Sequence, residues 1–600
     1  MNPAVLIGGF PPALLLVGGA LLVPVLKGRA KQGLLLALPV LAFLTIFFTE
    51  AGSTWIFTVL GHQLTLFKID ALSRVFGYIF CIVTFLGMLF AVDIGDDLQY
   101  CSALAYGGGA LGVTFAGDVF SLYIFWEVMA VASTFLILAR RTDASQAAAL
   151  RYILVHVVGG LCLLAGILLY VGRTGTTGFD YVGLAGVDSW LIFIGIAVNA
   201  AIPPLHPWLS DAYPEATVPG AVFLSAFTTK SAVYLMARMF PGTELLIWLG
   251  AVMTAIPIFY AVLENDIRRV LAYSLINQVG FMMCGIGIGT ALAINGTVSH
   301  AFCHILYKAL LFMAAGSVLH VTGRIRCTDL GGLYKTMPLT CLFCIVGAAS
   351  ISAFPLFSGF VSKSMIISAA AHDKLVVVWL ILQFASAGVF HHAGIKVPYF
   401  MFFGHDSGLR AQEPPRTMLL AMGIAAFICV FLGVYPYPLY AILPYPVDYL
   451  PYTGAHVVGQ LQLLMFGALA FCLLILSGYY PAEMRAINLD TDWFYRVFSV
   501  RFYDVVDGGL NRLNRFCEAI FVQRFTAGLA RWSEHGAARL LILAMLPVWK
   551  ILKLSDDQQA QLSSRITMLI RNNAVPIGIS VAGAALLLSV LYVLHGPRIT

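Results

Sequence analysis

The 600-residue chain is 60% hydrophobic and only 11% charged, whereas soluble domains carry about 25% charged residues. This excludes a water-soluble protein and predicts a polytopic membrane protein. The net charge of +6 is confined to loops and the C-terminal region, a distribution that excludes nucleic-acid binding.

The opening stretch, MNPAVLIGGFPPALLLVGGALLVPVLKGRAK, has no basic residue ahead of its apolar run, and its positive charges follow that run. It reads as a retained span with the N-terminus outside, rather than a cleaved signal. A membrane helix needs about 20 apolar residues. Candidate spans fall at 4–26, 33–50, 72–92, 100–116, 119–139, 152–171, 189–205, 217–240, 245–263, 270–290, 296–320, 338–362, 375–403, 417–441 and 459–480, with a last one at 575–594. The predicted fold is all-α with about 15–16 transmembrane helices; the segment 538–553 stands outside this count. Alternate loops hold Lys27, Arg29 and Lys31, then Arg140, Arg141 and Arg151, Arg268 and Arg269, Arg324, Arg326 and Lys335, and Arg410 and Arg416. The intervening loops hold few such residues, Lys68, Arg173, Arg238 and Lys374, so the basic set is assigned to the cytoplasmic side.

Two spans are interrupted by proline and glycine, IAVNAAIPPLHPWLSDA (196–212) and SISAFPLFSGFVSK (350–363). Backbone groups freed inside a membrane are tolerated only where protein or water satisfies them. Paired interruptions five spans apart point to inverted repeats with a functional site at their junction. The expected organisation is N-terminal spans over 1–99, a first five-helix repeat over 100–240, a second over 241–405, further spans over 406–480, and an arm with a final span over 481–600. In that arm basic and aromatic residues interleave with apolar ones, as in amphipathic helices at an interface or against partner subunits. Gly508, Gly509 and Pro547 predict interruptions in it.

Ionisable groups at mid-bilayer cost roughly 2.5–3.5 kcal/mol each on insertion scales. Glu127 lies mid-span in AGDVFSLYIFWEVMAVAS, either as a proton carrier or as a hydrogen-bonding group between helices. Lys230 either snorkels towards the interface marked by Arg238 or serves as a proton-loading site. His300, His304 and Lys308 recur every fourth residue in HAFCHILYKALLF. They drift only about 40° per step around a helix and form one polar stripe. Neighbours at that spacing can be bridged by a water, and imidazole both accepts and donates protons, so the stripe reads as a proton wire or as a hydrated packing seam. Lys363 follows the second interruption, and His391, His392 and Lys396 lie in the next span, each an interfacial anchor or a relay. His156 is a lone histidine on an apolar helix, the pattern of a core residue. Cys341 and Cys344 form a CxxC inside an apolar run, which reads as packing. The eleven cysteines suggest no disulfide framework, and no carboxylate or thiolate completes a metal set with His300 and His304 except Cys303, which points elsewhere. No catalytic set, cofactor or metal is expected.

The motifs FAGDVFSLYIFWEVMAVAS, ENDIRRVLAYSLINQVGFMM, HAFCHILYKALLF, GGLYKTMPLT and FSGFVSK occur in an order that resembles the antiporter-like subunits of respiratory complex I, membrane-bound hydrogenases and Mrp-type cation/proton antiporters, over about residues 65–405. The wording AGDVFSLYIFWEVM and the ending KVPYFMFFG are most similar to the Mrp D subunit branch, and the C-terminal arm resembles that of the longer subunits. The resemblance implies that Glu127, Lys230, His300, His304, Lys308 and Lys363 form a hydrated proton axis along the membrane midplane. It further implies a subunit of the cell (inner) membrane of a prokaryote that works with other membrane subunits, on protons and Na+ or K+. One position departs from the pattern. The family's lysine in span seven, nine residues before Trp208, is here Asn199, which cannot carry a proton at neutral pH. The switch between Glu127 and Lys230 is then direct, water-borne, or served by His206 or His156, or else the first half is no longer a full pathway and Asn199 coordinates a cation or supports the break. Two alternatives keep the same module but place it in a redox complex or an inorganic-carbon uptake complex. A third, from another class, is a solute carrier or receptor. Iron–sulfur cysteine sets and a dinucleotide fingerprint are absent from the sequence. A solute carrier would gather its charges around one pocket, whereas these are spread over successive spans.

Overall fold

The computed structural model describes residues 9–59, 61–481, 483–484, 488–573 and 577–595. The expected spans 4–26 and 575–594 therefore lie partly outside the described residues. The chain divides into two compact units between Asp492 and Trp493.

In the first unit α1 (Pro12–Leu22) and α2 (Gly28–Phe48) precede an antiparallel hairpin, β1 (Gly52–Val59) and β2 (His62–Ile69). The strands pair from Gly52↔Ile69 to Val59↔His62. There follow α3 (Ala71–Ala91), α4 (Asp97–Phe115), α5 (Val119–Leu138), α6 (Asp143–Thr174), α7 (Val187–Asn199), α8 (Pro207–Ala212), α9 (Val218–Ala226) and α10 (Thr228–Met239). Next come α11 (Glu244–Leu263), α12 (Ile267–Ile288), α13 (Ala291–Thr322), α14 (Pro338–Ile351), α15 (Ser358–His372), α16 (Val376–Val389), α17 (Arg416–Val434), α18 (Tyr437–Tyr440) and α19 (Gly454–Leu476). α16 runs on into π-helical turns at Phe390–Lys396 and Tyr399–Phe403.

Eleven helices among the described residues are long and apolar enough to cross a membrane, counting α9 with α10 and α16 with its π-turns as single passes. The other expected spans of this unit are the short α1, the broken pairs α7/α8 and α14/α15, and the glycine-rich α4. The protein is a multi-pass membrane protein.

The hairpin occupies a stretch where the sequence suggested only a loop. Its register is set by β2, which buries Phe67 and Ile69, while β1 supplies β-branched residues that suit a pleated strand. Asp118 anchors it: Oδ1 accepts from the N–H groups of Phe120 and Ser121 to cap α5, and Oδ2 accepts from Thr65 N at 2.7 Å. At the hairpin's end Asp70 caps α3 through Ser73 N (2.8 Å) and takes two bonds from Arg238 Nη2 (2.7 and 2.9 Å).

The two breaks are built alike. After α7, Ala201 takes φ 57° and Ile202 N donates to Ala197 O; after α14, Ala353 takes φ 56° and Phe354 N donates to Ala349 O. Each is a six-to-one helix terminus that places alanine, not glycine, in the left-handed region. That strain costs about 1–3 kcal/mol per residue, and surrounding packing must hold it. Elsewhere helices close to backbone contact. A Cβ on Gly250 of α11 would stand 2.5 Å from Cys284 N, and one on Gly280 of α12 would stand 2.7 Å from Thr254 N, the small-residue packing common between membrane helices.

In the second unit the backbone stays helical from Phe494 to Ile551, through a π-turn (Phe494–Phe498), α20 (Ser499–Cys517), another π-turn (Glu518–Phe525) and α21 (Thr526–Ile551). α22 (Asp556–Asn573) and α23 (Ile577–His595) follow. The interruptions expected at Gly508, Gly509 and Pro547 do not occur. A glycine weakens a helix by about 1 kcal/mol without ending it, and Pro547 falls near the end of α21. The apolar stretch 538–553 belongs largely to that helix.

Asp70 gives a test of the hairpin anchor. Burial raises its pKa, but the Arg238 guanidinium and the Ser73 hydrogen bonds outweigh this and hold the carboxyl below its usual range. A carboxylate with a depressed folded pKa stabilises the fold above its unfolded pKa, and that contribution is lost as pH falls through the folded value. Asp70→Asn should therefore lower the thermal unfolding midpoint of the detergent-solubilised protein at pH 7. The gap to wild type should close as the pH drops below about 4.

Candidate proton-translocation site

Burial of the ionisable side chains excludes snorkelling. Lys230, His300, His304, Lys308, His392 and Lys396 are fully buried, and Lys363 is 1% exposed. Each lysine must find acceptors inside the protein. Lys230 Nζ donates to Ser225 O at 2.7 Å and to Thr229 Oγ1 at 3.2 Å. Ser225 lies at the end of α9, where the helix breaks at Phe227 and its last carbonyls lose their helical partners. Lys363 Nζ donates to Ile351 O, the last residue of α14, at 2.9 Å, and stands 5.1 Å from the Phe281 ring centre. Lys396 Nζ donates to Val262 O (2.6 Å), Glu264 O (2.7 Å) and Ala261 O (3.4 Å) at the end of α11. Three of the four buried amines thus sit on a helix C-terminus, where unpaired carbonyls and the helix dipole both favour a cation. The fourth, Lys308, donates to Ser274 Oγ at 3.0 Å and Leu271 O at 3.3 Å on α12.

The central stripe on α13 is wired to its neighbours. His300 Nε2 lies 3.2 Å from Gln278 Oε1, which also accepts from Tyr307 Oη at 3.1 Å. Gln278 gives its amide N–H to Asn277 Oδ1, so its oxygen faces His300 and Nε2 carries a proton. His300 Nδ1 lies 3.1 Å from Ser362 Oγ, and Ser362 is also 3.1 Å from Ser358 O. The Ser362 hydroxyl can point at Ser358 O when the ring is charged, or at Nδ1 when it is neutral. His304 has neither ring nitrogen bonded to protein, and its ring lies 6.1 Å from that of His300. Lys230 and Lys363 are within electrostatic reach of both histidines and of Lys308.

In the first half, Glu127 is half-buried on α5 and interacts with Tyr123. Its Oε1 lies against Gly160 of α6, where a Cβ would collide with it. Among the described residues no ion pair joins Glu127 to Lys230, which faces the central stripe instead. Asn199, the last residue of α7, is buried with neither amide atom paired. His156 donates from Nδ1 to Tyr152 O at 2.9 Å and is packed between Tyr152 (3.9 Å) and Trp208 (4.6 Å), leaving Nε2 unpaired. His206 Nε2 stands 3.3 Å from Asp490 Oδ1, an electrostatic contact whose angle falls short of a hydrogen bond.

In the second half, His391, His392 and Lys396 share the π-helical turn. His392 lies within reach of Lys308 and Lys396, and Lys396 pairs with Glu483 at 2.8 Å. A cleft of about 600 Å³ adjoins Lys363 between α15, α16 and α19, with Ser364, Ser368, Gln383, His456 and Gln460 on its wall.

Sequence reading did not single out Asn277, Gln278, Ser274, Ser362, Glu483 or Asp490. The Asn–Gln pair in the apolar run SLINQVGF carried a signal, because adjacent amides in a span need buried partners. The two acids follow the last spans in a polar stretch and gave none.

Residues 116–388 match the family described as NADH:quinone oxidoreductase/Mrp antiporter, TM. The chain is 30% identical over 358 residues to a protein of Rhizobium meliloti (strain 1021) named as the A/B subunit of a probable K(+)/H(+) antiporter, covering 56% of this chain and 36% of that one. It is 31% identical over 400 residues to NAD(P)H-quinone oxidoreductase chain 5 of Picosynechococcus sp., covering 60% and 59%. The chain thus spans between about a third and three fifths of the length of these curated relatives. The antiporter relative is of the A/B type, whereas the motif wording pointed to the D branch. The fold matches a chain in the structure of the Mrp complex from Dietzia sp. DQ12-45-1b with TM-score 0.74 at 24% identity, over 91% of this chain and 63% of that one.

The Glu127–Gly160 contact is testable. The one atom that a Cβ would crowd is the tip of a flexible, half-exposed side chain. Gly160→Ala should therefore change the melting temperature little and act by turning the Glu127 carboxylate aside. Gly250→Ala, which meets the backbone of α12, should instead destabilise the protein by about 1–3 kcal/mol. Over residues 116–388, somewhat less than half of the chain, the sequence is thus similar to the membrane module described for NADH:quinone oxidoreductase and Mrp antiporters.

Proposed function

We propose that this chain is a proton-translocating subunit of a multi-subunit monovalent cation/proton antiporter, exchanging Na+ or K+ for H+. Protons move along the buried row from Glu127 and Lys230 through His304, His300 and Lys308 to Lys363. The observation that carries this reading is the row itself: Lys230, His300, His304, Lys308 and Lys363 are buried and electrostatically linked across successive helices. Spread in this way, they fit stepwise conduction better than a solute site. The ring nitrogens of His304 have no protein partner, so solvent has to complete their hydrogen bonds. The rotatable Ser362 hydroxyl lets His300 exchange its charge state without moving the backbone. The cleft beside Lys363 offers the far end of the row a polar outlet.

In this reading 100–240 and 241–405 are inverted repeats joined at the stripe, as their matching breaks suggest. The basic loops face the cytoplasm of a prokaryotic cell membrane, the N-terminus lies outside, and other membrane subunits complete the complex. Asn199 marks the first half as relying on His156, His206 or water in place of a lysine. The Picosynechococcus relative favours a second reading, the same module coupled to a redox complex. Identifying the subunits that co-purify with the chain separates the two.

Lys308→Ala should reduce proton flux by the complex in liposomes to the leak of protein-free vesicles, with the subunits still co-eluting in size-exclusion chromatography. Wild-type flux in that variant would refute the conducting row.

A further inference from the structure

Beyond α19, the chain brings carboxylates back beneath the bundle on the face that carries the basic loops. Two of them meet buried bases, and the two meetings differ in kind. Asp490 is fully engaged: it accepts from Tyr273 Oη at 2.9 Å and from Thr491 N at 2.6 Å, with His206 Nε2 3.3 Å away. Burial works to raise its pKa, but these partners hold the carboxyl below its usual range, as expected of a fixed anion. Glu483 is engaged only by Lys396, at 2.8 Å, with side chains 8% and 0% exposed respectively. An ammonium has three protons to give, and three carbonyls at the end of α11 already take them. Glu483 is therefore a surplus acceptor. Neither of its oxygens takes a hydrogen bond from any other group among the described residues, whereas a purely structural buried carboxylate collects several donors.

The groups that face Glu483 come from every element packed there. Lys396 comes from the π-turn, Glu264 from the end of α11, and Cys327 and Tyr480 from the flanking loops. Burial and the Glu264 charge push the Glu483 carboxyl up, and Lys396 only partly offsets them. Glu264 itself is tied down by the N–H groups of Asn265 and Asp266 and by Asn488 Nδ2. Inward from Lys396 lies His392, which is in reach of Lys308.

We propose that Glu483 is the proton-transfer carboxylate at the basic-loop end of the second half, exchanging protons between the aqueous phase and the row Lys396–His392–Lys308. In the inward direction, the Lys396 ammonium gives a proton to a His392 ring nitrogen. The neutral Glu483 carboxyl then returns one to the amine, breaking its O–H bond as an N–H bond forms. The resulting carboxylate recovers a proton from water. This step rests on the conducting row proposed above, and the test separates the two.

The full complex, reconstituted in liposomes, is compared with Glu483→Gln, Glu483→Asp and Lys308→Ala, with proton flux read by a trapped pH dye and assembly by size exclusion. Glutamine keeps the shape and an oxygen facing Lys396 but cannot ionise. It should lower flux about tenfold or more in an assembled complex, and aspartate should lower it about threefold with a larger solvent isotope effect. Wild-type flux in Glu483→Gln alongside an inactive Lys308→Ala overturns the role of Glu483 and leaves the row standing. Flux in Lys308→Ala refutes the row itself. If Glu483→Gln fails to assemble, Glu483→Asp decides: wild-type rate and isotope effect overturn the proposal, and a slowed rate with a raised isotope effect supports it.

Discussion

The arrangement depends on one kind of contact, a buried amine resting on the carbonyls of a helix that stops inside the bundle. A lysine cannot enter a dry interior without acceptors, and a membrane helix cannot stop there without donors. Each defect solves the other. Lys230 meets the end of α9, Lys363 the end of α14 and Lys396 the end of α11. The breaks that look like weaknesses in the span pattern are what allow charge to reside at depth. Because these acceptors are neutral dipoles rather than carboxylates, no bound anion fixes the proton on Lys230 or Lys363. The contrast with Asp490, gripped from three sides, shows what a permanently charged site looks like in the same fold.

The histidines supply what the lysines lack, a group that can pass a proton through itself. His300 is held at both nitrogens, by Gln278 and by Ser362, while His304 is held at neither. One fixed and one free ring thus stand side by side on α13. The geometry of α12 matters here, since Ser274, Asn277 and Gln278 line one face of that helix and serve Lys308 and His300 together.

Much of this was legible in the sequence, for identifiable reasons. Span positions followed from apolar run length, and the buried row followed from charges set where lipid-compatible residues were expected. The four-residue spacing of His300, His304 and Lys308 placed them on one face of α13, as observed. Other features were hidden because they depend on contacts between distant segments. The β1–β2 hairpin has strands whose outer face is exposed, so neither length nor alternation separated it from a loop, and its anchor Asp118 is 53 residues from Thr65. Sequence placed Glu127 and Lys230 as a pair, yet helix packing turns one against Gly160 and the other towards α13. Glycine and proline counts misjudged the second unit, because breaking a helix takes more than a local penalty when the flanking turns remain favourable. Glu483 stood in an unremarkable polar stretch, and only the fold brings it to Lys396.

The π-helical turn at Phe390–Lys396 has a consequence of its own. A π-turn holds one residue more than the α-turn it replaces, so the wall that carries His391, His392 and Lys396 is wound to a different pitch from the helix on either side. Loss of a single residue there would relax the coil to the ordinary pitch and swing all three side chains around the axis together. The proposed branch from Lys396 through His392 would lose its alignment without any of its members being altered. Spacing here is thus as much a heritable trait as the identity of the residues it sets apart.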